Sequence, residues 1–160
     1  MHLKKHNAGN ILAKLEQSPT TIYIVEYTDG PSYYSPKKKT IFWNPYQGLE
    51  TTDGNHLSPT TVLNHEADHA LDDVENSVQH KIRKNTKDEN YDNKEERRVI
   101  MGTETDTAIK LGEIKEGELS RDNHLGYDTQ TNDPTSSKPI SVNLPSLEEF
   151  VVTPKKTVEE

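Results

Sequence analysis

Residues 62–73 read Val62-Leu63-Asn64-His65-Glu66-Ala67-Asp68-His69-Ala70-Leu71-Asp72-Asp73, and this stretch predicts the central helix of the 160-residue chain. Ser58 is a favourable N-cap residue, and Pro59 suits the first helical position. The apolar residues of the stretch fall on one face when each residue is rotated by about 100°. His65 and His69 lie one turn apart at the margin of that face. We therefore expect a helix that is buried on one side and presents two imidazoles along the edge of a cleft.

The motif His65-Glu66-x-x-His69 has the spacing of a metal-dependent hydrolase site. Histidines at positions i and i+4 of a helix can each direct a ring nitrogen to one ion, at roughly 2.0–2.1 Å. Glu66 can then take a proton from a zinc-bound water, whose pKa zinc lowers to roughly 7. We therefore predict one zinc ion per chain, with both histidines as ligands and Glu66 as the catalytic base.

A catalytic zinc site usually has three protein ligands, so a third ligand must come from elsewhere in the sequence. The extended motif HExxHxxGxxH is not present, because Asp72 and Glu75 stand at its Gly and final His positions. A second helix, predicted over residues 93 to about 112, offers Glu96 and Glu104 instead. Glu96 is the favoured ligand and Glu104 the alternative. The glutamate that does not bind zinc could hydrogen-bond a ligand histidine.

Three further interpretations of these residues are open from the sequence. Asn93 and Glu96 have the spacing of a capping box, in which Glu96 would only close the start of the helix. Asp72 and Asp73 follow His69 by three and four residues, so either carboxylate could orient that imidazole; otherwise both are solvated. The motif could also occupy a metal-free helix by chance, because the chain contains 7 His.

Composition limits both the size of the core and the partners that we expect. Apolar residues make up 29% of the sequence and charged residues another 29%, which predicts a small core. The formal net charge of −8 disfavours nucleic acid and anionic membranes as partners. The chain has no cysteine, so a metal site can use only histidines and carboxylates. No segment has the pattern of a transmembrane helix or a signal peptide.

The pattern of the whole chain predicts one α+β domain over residues 1–128 and a Pro-, Ser- and Thr-rich extension over residues 129–160. The domain should combine a mixed sheet with the HExxH helix and the second, Glu-bearing helix. Residues 20–27 and 39–43 have the β-branched and aromatic composition of strands. We expect the second of these strands to lie at a sheet edge, where an extended substrate could pair with it and contact Trp43. The alternative is that Trp43 belongs to the core.

The loop after the second helix should supply a donor for the oxyanion that forms when hydroxide attacks a carbonyl. The candidates are Arg121, His124 and Tyr127. His124 and Tyr127 are predicted to be catalytic, and Arg121 is also predicted to bind substrate. Each of these residue types is common on surfaces, so each could equally be solvated.

Between the two helices, the polar residues 79–93 predict a solvated loop or mobile flap.

Two blocks of the sequence resemble the zincin-like effector metallopeptidases of bacteria: Ser58-Pro59-x-x-x-Leu63-x-His65-Glu66-x-x-His69-Ala70 and Glu95-Glu96-x-x-Val99-Ile100-x-Gly102-x-Glu104. The resemblance extends over about residues 20–127. Such proteins occur as translocated effectors and as toxin domains at the ends of large Rhs-type proteins. The resemblance implies a gluzincin-like fold, zinc with a Glu as third ligand, and peptide-bond hydrolysis inside a target cell or competitor. Carried over by position, it makes His65 and His69 ligands, Glu66 the base and Glu96 the third ligand.

The sequence thus predicts a zinc endopeptidase acting on a protein or peptide. It would be secreted or translocated without a visible signal peptide, and otherwise cytoplasmic. A cognate immunity protein or a larger parent chain could be a partner. One alternative is a catalytically inactive zincin fold that binds metal or protein, which Glu66 disfavours because an inactive site has no need of the base. Another is a flexible acidic interaction protein, which the Ser58 cap and the strand at residues 20–27 disfavour.

Overall fold

A computed structural model describes residues 2–140 of the chain. The helices in this region are α1 (His2–Lys5), α2 (Asn10–Gln17), α3 (Pro59–Glu75), α4 (Ser77–Lys84), α5 (Lys94–Val99) and α6 (Thr105–Leu111); a π-helical turn, Ile100–Glu104, joins α5 to α6. The strands are β1 (Tyr23–Glu26), β2 (Tyr33–Ser35), β3 (Thr40–Trp43), β4 (Gln47–Thr51), β5 (His56–Leu57), β6 (Lys87–Asp88), β7 (Asp92–Asn93) and β8 (Gly126–Gln130). The predicted α+β class is confirmed. Within the described residues, no helix is both long and apolar enough to cross a membrane.

A mixed three-stranded sheet packs against one side of α3. Its strand order is β1-β3-β2, with β3 parallel to β1 and antiparallel to β2. Ile41 of β3 is fully buried and belongs to the same core cluster as Leu63, Ala67 and Ala70 of α3. Burial of these side chains away from water holds the helix on the sheet. The apolar face predicted for the HExxH helix is therefore its buried face.

The prediction that residues 39–43 form an edge strand is wrong. β3 lies in the centre of its sheet, because β1 and β2 occupy its two edges. The edge strand beside the HExxH helix is β2, and its Tyr34 N–H donates to the Glu66 carboxylate. Trp43 lies against the core and donates its indole N–H to the Pro59 carbonyl at 2.9 Å. Trp43 therefore packs at the start of α3, and its predicted contact with a substrate stays a prediction.

A second sheet, with the order β5-β4-β8, connects the segment after α6 to the start of α3. β8 pairs with β4 along its whole length in antiparallel register. Beyond it, Thr60 at the start of α3 donates its backbone N–H and its hydroxyl to the Pro134 carbonyl, at 3.0 and 2.6 Å. The chain is therefore attached to the domain as far as Pro134, past the boundary that we predicted at residue 128.

Residues 79–93 do not form the solvated flap that we predicted. The first part of this segment belongs to α4, and the later part forms the two-stranded β6–β7 hairpin. The residue that α4 buries is His80, which packs among polar partners from α3 and α5. Hydrophobic periodicity misses such a helix, because polar contacts and not an apolar face attach it to the domain.

The second helix has the predicted ends but is not a regular α-helix. Asn93 caps its start by accepting hydrogen bonds from the Glu95 and Glu96 N–H groups, both at 3.0 Å. Gly112 ends it in the left-handed conformation, with φ 75°. Eight residues of α-helix would place Glu104 about 80° around the axis from Glu96. The additional residue in the π-helical turn reduces that angle to about 20°, so both carboxylates face α3.

Gly48→Ala is expected to destabilise the domain, because a Cβ atom at this position would lie 2.5 Å from the Leu57 carbonyl oxygen of β5. A backbone atom in a paired strand cannot move away at low cost, so we expect a loss of about 1–3 kcal/mol in the free energy of unfolding. Chemical denaturation measures this loss. Gly102→Ala is the control, since a Cβ there meets no atom within 4 Å. Equal losses in both variants would refute the steric explanation.

Candidate metal centre

His65, His69 and Glu96 converge on one point between α3 and α5. The Nε2 atoms of the two imidazoles lie 3.1 Å apart. The Glu96 carboxylate lies 3.3 Å from each of them, through Oε2 to His65 and through Oε1 to His69. Donor atoms around a tetrahedral ion, with bonds of about 2.0–2.1 Å, are separated by about 3.3–3.4 Å. The residues present therefore fit a zinc ion both in donor chemistry and in spacing.

The other nitrogen of each imidazole meets a second buried carboxylate. Glu104 Oε2 lies 2.7 Å from His65 Nδ1, and Glu95 Oε1 lies 3.4 Å from His69 Nδ1. These two glutamates are only 2% and 1% exposed, respectively. A carboxylate at Nδ1 orients the ring and makes Nε2 a better ligand. Of the two glutamates that we predicted, Glu96 thus lies beside both Nε2 atoms and Glu104 beside His65 Nδ1.

Glu95 is a member of the centre that the sequence did not reveal. It lies about 100° around a regular helix from its neighbour Glu96, on a different face. The first turn of α5 is close enough to α3 for both side chains to reach His69, one at each ring nitrogen. The signal available in the sequence was the i, i+3 spacing of Glu95 and Arg98, which predicts a helix ion pair but no contact with an imidazole.

The charges in the centre favour a bound cation. Burial alone would lower the pKa of His65, but hydrogen bonds to Glu104 and Glu96 outweigh it and raise that pKa to about 10. Burial would raise the pKa of Glu96, but hydrogen bonds from His124 and the two motif imidazoles lower it far below its ordinary value. Protons and zinc compete for the same imidazole nitrogens, so zinc affinity should decrease as the pH falls.

Glu66 lies beside the three candidate ligands and is only partly buried. Its Oε2 accepts a hydrogen bond from the Tyr34 N–H at 2.7 Å. The Tyr34 hydroxyl donates to Asp73 Oδ2 at 2.8 Å, and Lys39 Nζ donates to the same oxygen at 2.6 Å. Strand β2 is therefore attached to α3 at two points, two helical turns apart, and its backbone lies next to Glu66.

The cleft has two lobes that meet at Glu66 and Glu96. The first lobe has a volume of about 260 Å³ and the second about 200 Å³. His65 lines the first lobe and His69 the second, so both lobes reach the candidate ligands. Residues that line the first lobe include Pro31, Ser32, Leu49, Val62, His124 and Asp128. The second is lined by Tyr33, Tyr34, His69, His80, Lys84 and Glu95 besides the two shared glutamates.

Of the three residues predicted to stabilise the oxyanion, His124 lies in the cleft in a suitable position. Its Nε2 atom is 3.6 Å from Glu96 Oε2, and its side chain is 43% exposed. The imidazole can therefore donate to a group bound beside the candidate ligands. Tyr127 is 68% exposed and lies on the face of β8 opposite to Asp128, which lines the cleft. Its position does not match the catalytic role that we predicted, because alternate residues of a strand face opposite ways.

Arg121 is buried, lines the first lobe of the cleft and directs most of its guanidinium group at Glu104. Its Nε and Nη2 atoms donate to the Glu104 carboxylate at 3.0 and 2.8 Å. This contact lets a buried carboxylate remain charged beside His65, since an unpaired buried charge is costly. The structure therefore places Arg121 behind a candidate ligand, at the wall of the cleft, and its predicted contact with a substrate stays a prediction.

Asp72 and Asp73 also lie elsewhere than predicted. Asp73 accepts the hydrogen bonds from Tyr34 and Lys39, and Asp72 lies 3.1 Å from His80 Nδ1 and pairs with Arg83. Among the described residues, neither carboxylate forms a hydrogen bond with the imidazoles of the motif. Tyr34 of β2 instead binds Asp73, and His80 and Arg83 of α4 bind Asp72.

Together, the mixed sheet, the HExxH helix and the glutamates of the second helix define a small α+β domain with a candidate metal centre. The chain belongs to the family Peptidase_M91, described as effector protein, whose family model matches residues 2–135. The resemblance to bacterial effector metallopeptidases is therefore confirmed. The matched region contains all the side chains that form the candidate centre. No curated protein and no solved structure matches the chain.

Proposed function

We propose that the protein is a zinc-dependent endopeptidase that hydrolyses a peptide bond in an extended segment of a protein substrate. The observation that carries the proposal is the convergence of His65, His69 and Glu96 beside Glu66, in a chain of a peptidase family. The family description, effector protein, supports translocation into another cell as the route of action. A larger parent chain or a cognate immunity protein would be consistent with that route.

In this proposal, His65 Nε2, His69 Nε2 and the Glu96 carboxylate hold one zinc ion. When bound, zinc supplies Lewis acidity, which lowers the pKa of water to roughly 7 and polarises a carbonyl group. Glu66 accepts a proton from the attacking water while the water oxygen bonds to the carbonyl carbon. Glu66 then passes that proton to the amide nitrogen as the C–N bond breaks. His124 donates a hydrogen bond to the carbonyl oxygen as negative charge develops there.

Strand β2 is the edge along which we propose that the substrate lies. One side of β2 pairs with β3, while its Tyr34 N–H faces the cleft and binds Glu66. Extended peptides commonly add to such an edge through main-chain hydrogen bonds. A substrate carbonyl that accepted the Tyr34 N–H would release one carboxylate oxygen of Glu66. Substrate alignment and exposure of the base would then occur in the same step.

The proposal is tested by metal analysis and by hydrolysis of a mixed peptide library derived from a digested proteome. We expect about one zinc per chain, and cleavages that a strong chelator abolishes and added zinc restores. The library presents many sequences at once, so it detects cleavage without a substrate chosen in advance. Cleavage that persists unchanged after complete removal of metal would overturn the zinc mechanism. Stoichiometric zinc without any cleavage would instead favour an inactive, metal-binding domain.

Glu96→Gln is expected to weaken zinc binding far more than Glu104→Gln does. Glu96 supplies a ligand atom, whereas Glu104 supports His65, and the loss of such support costs roughly 10–100-fold in affinity. Competition titration with a chromophoric chelator measures both variants under the same conditions. If Glu104→Gln lost zinc while Glu96→Gln retained it, the ligand assignment would be reversed. If both variants retained zinc, Glu96 would only cap the start of the second helix.

A further inference from the structure

A cluster of charged groups, centred on the buried Glu95 carboxylate, lies on the Nδ1 side of His69. The Glu95 carboxylate is 3.4 Å from His69 Nδ1 and 3.3 Å from His80 Nδ1. Arg83 Nε and Arg98 Nη2 each donate to this carboxylate at 2.7 Å. The five side chains come from α3, α4 and α5, so Glu95 of α5 contacts both the HExxH helix and α4.

This cluster is not suited to a second metal ion. Asp72, His80 and Glu95 have donor atoms within 4.8 Å of one another, which is the spacing of a cation site. However, Arg83 pairs with both carboxylates, and Arg98 pairs with Glu95. A divalent cation would have to displace two guanidinium groups that already neutralise the buried carboxylates. The charges therefore favour a cluster that is complete without an ion.

The contacts of His65 follow the same pattern and indicate what the cluster does. Glu104 lies 2.7 Å from His65 Nδ1 and accepts two hydrogen bonds from Arg121. Each candidate ligand imidazole thus has its own carboxylate at Nδ1, and each carboxylate is neutralised by arginine. The arginines that pair with these two carboxylates come from different parts of the chain: Arg121, which pairs with Glu104, follows α6, and Arg83, which pairs with Glu95, lies on α4.

We propose that Glu95 is the positioning residue of His69, and that Arg83 and Arg98 hold its carboxylate in place. This inference rests on the proposed metal centre. A carboxylate at Nδ1 keeps the imidazole proton on that nitrogen and leaves the Nε2 lone pair directed at the ion. Because Glu95 is buried and already paired with two arginines, its carboxylate stays charged and cannot turn away. In this inference Glu95 acts on the ion through His69 and is not itself a ligand.

The variant Glu95→Gln tests the proposal, because it keeps the shape of the side chain and removes its charge. We expect zinc affinity to fall roughly 10–100-fold, as for other residues that support a metal ligand. We also expect the visible absorption spectrum of the Co²⁺-substituted protein to change, because that spectrum reports the position of the ligand nitrogens. If zinc affinity and the Co²⁺ spectrum stay at wild-type values, Glu95 only stabilises the fold and the inference is overturned.

Arg98→Met provides a second test in case Glu95→Gln fails to fold. Arg97→Met is its matched control, since Arg97 is the adjacent residue, its side chain is 54% exposed, and it pairs with Asp88 instead of Glu95. We expect Arg98→Met to weaken zinc binding and Arg97→Met to leave it unchanged. Equal zinc affinities in the two variants would overturn the inference. A wild-type protein that binds no zinc would instead overturn the proposed metal centre, so the two failures are distinguishable.

Discussion

Glu66→Gln is expected to abolish most peptide hydrolysis while zinc content and melting temperature stay at wild-type values. The amide cannot accept a proton from the attacking water, and loss of a general base typically costs roughly 10²–10⁴-fold in rate. The fold should persist because glutamine retains a carbonyl oxygen that can accept the hydrogen bond from the Tyr34 N–H. The candidate ligands are unchanged in this variant, so zinc should remain bound.

A proteome-wide search for new N-termini is the suitable measurement, because it detects cleavage of any protein in the sample, whatever its sequence. Wild-type protein and Glu66→Gln are added in parallel to the same lysate, with a chelator-treated sample as a further control. Cleavages that are present with the wild type and absent from the other two samples support the proposed mechanism. Equal cleavage by wild type and Glu66→Gln would show that another group or a contaminant is responsible.

The double variant His65→Ala/His69→Ala is expected to bind no zinc, and this loss should also lower the stability of the domain. A ligand that binds only the folded state stabilises it by about 4 kcal/mol when its free concentration is about 1,000 times its Kd. Chelation of the wild type should therefore lower the melting temperature. The double variant should melt at the same temperature with or without chelator, because it has no zinc to lose.

Elemental analysis after desalting and thermal melts with and without chelator measure these two effects. His56→Ala is the control, because His56 lies on β5 and lines neither lobe of the cleft. This variant should retain one zinc per chain and the response to chelator. Stoichiometric zinc in the double variant would show that the site is elsewhere. If chelator left the melting temperature of the wild type unchanged, the proposed stabilisation of the fold by bound zinc would be refuted.

Local features of the sequence determined the two helices that carry the candidate centre. Ser58 caps α3, and its side chain accepts from the Thr61 N–H as an N-cap residue should. Asn93 and Gly112 mark the ends of the second helix in the same way. Caps and helical periodicity involve residues within a few positions of one another, so they can be recognised without reference to distant partners. The same locality brought His65 and His69 to one side of α3.

Contacts between distant segments could not be determined in this way. The composition of residues 39–43 predicts a strand, but whether that strand is central or at an edge depends on its pairing with β1 and β2. Arg121 and Tyr127 both follow the second helix closely, yet Arg121 is buried on Glu104 and Tyr127 is exposed. Helix α4 was missed because polar contacts across the domain hold it, with His80 as its buried residue.

The three glutamates near the motif show which features local sequence determines and which depend on tertiary contacts. The sequence by itself determined that Glu96 and Glu104 lie on the second helix as candidate partners of the motif. Only the tertiary structure decided that Glu96 contacts the Nε2 atoms of both histidines. It likewise decided that Glu104 contacts His65 Nδ1 and that Glu95 contacts His69 Nδ1. The physical reason is that the π-helical turn and the approach of α5 to α3 set which carboxylate meets which nitrogen. Both depend on packing between helices, which no local pattern encodes.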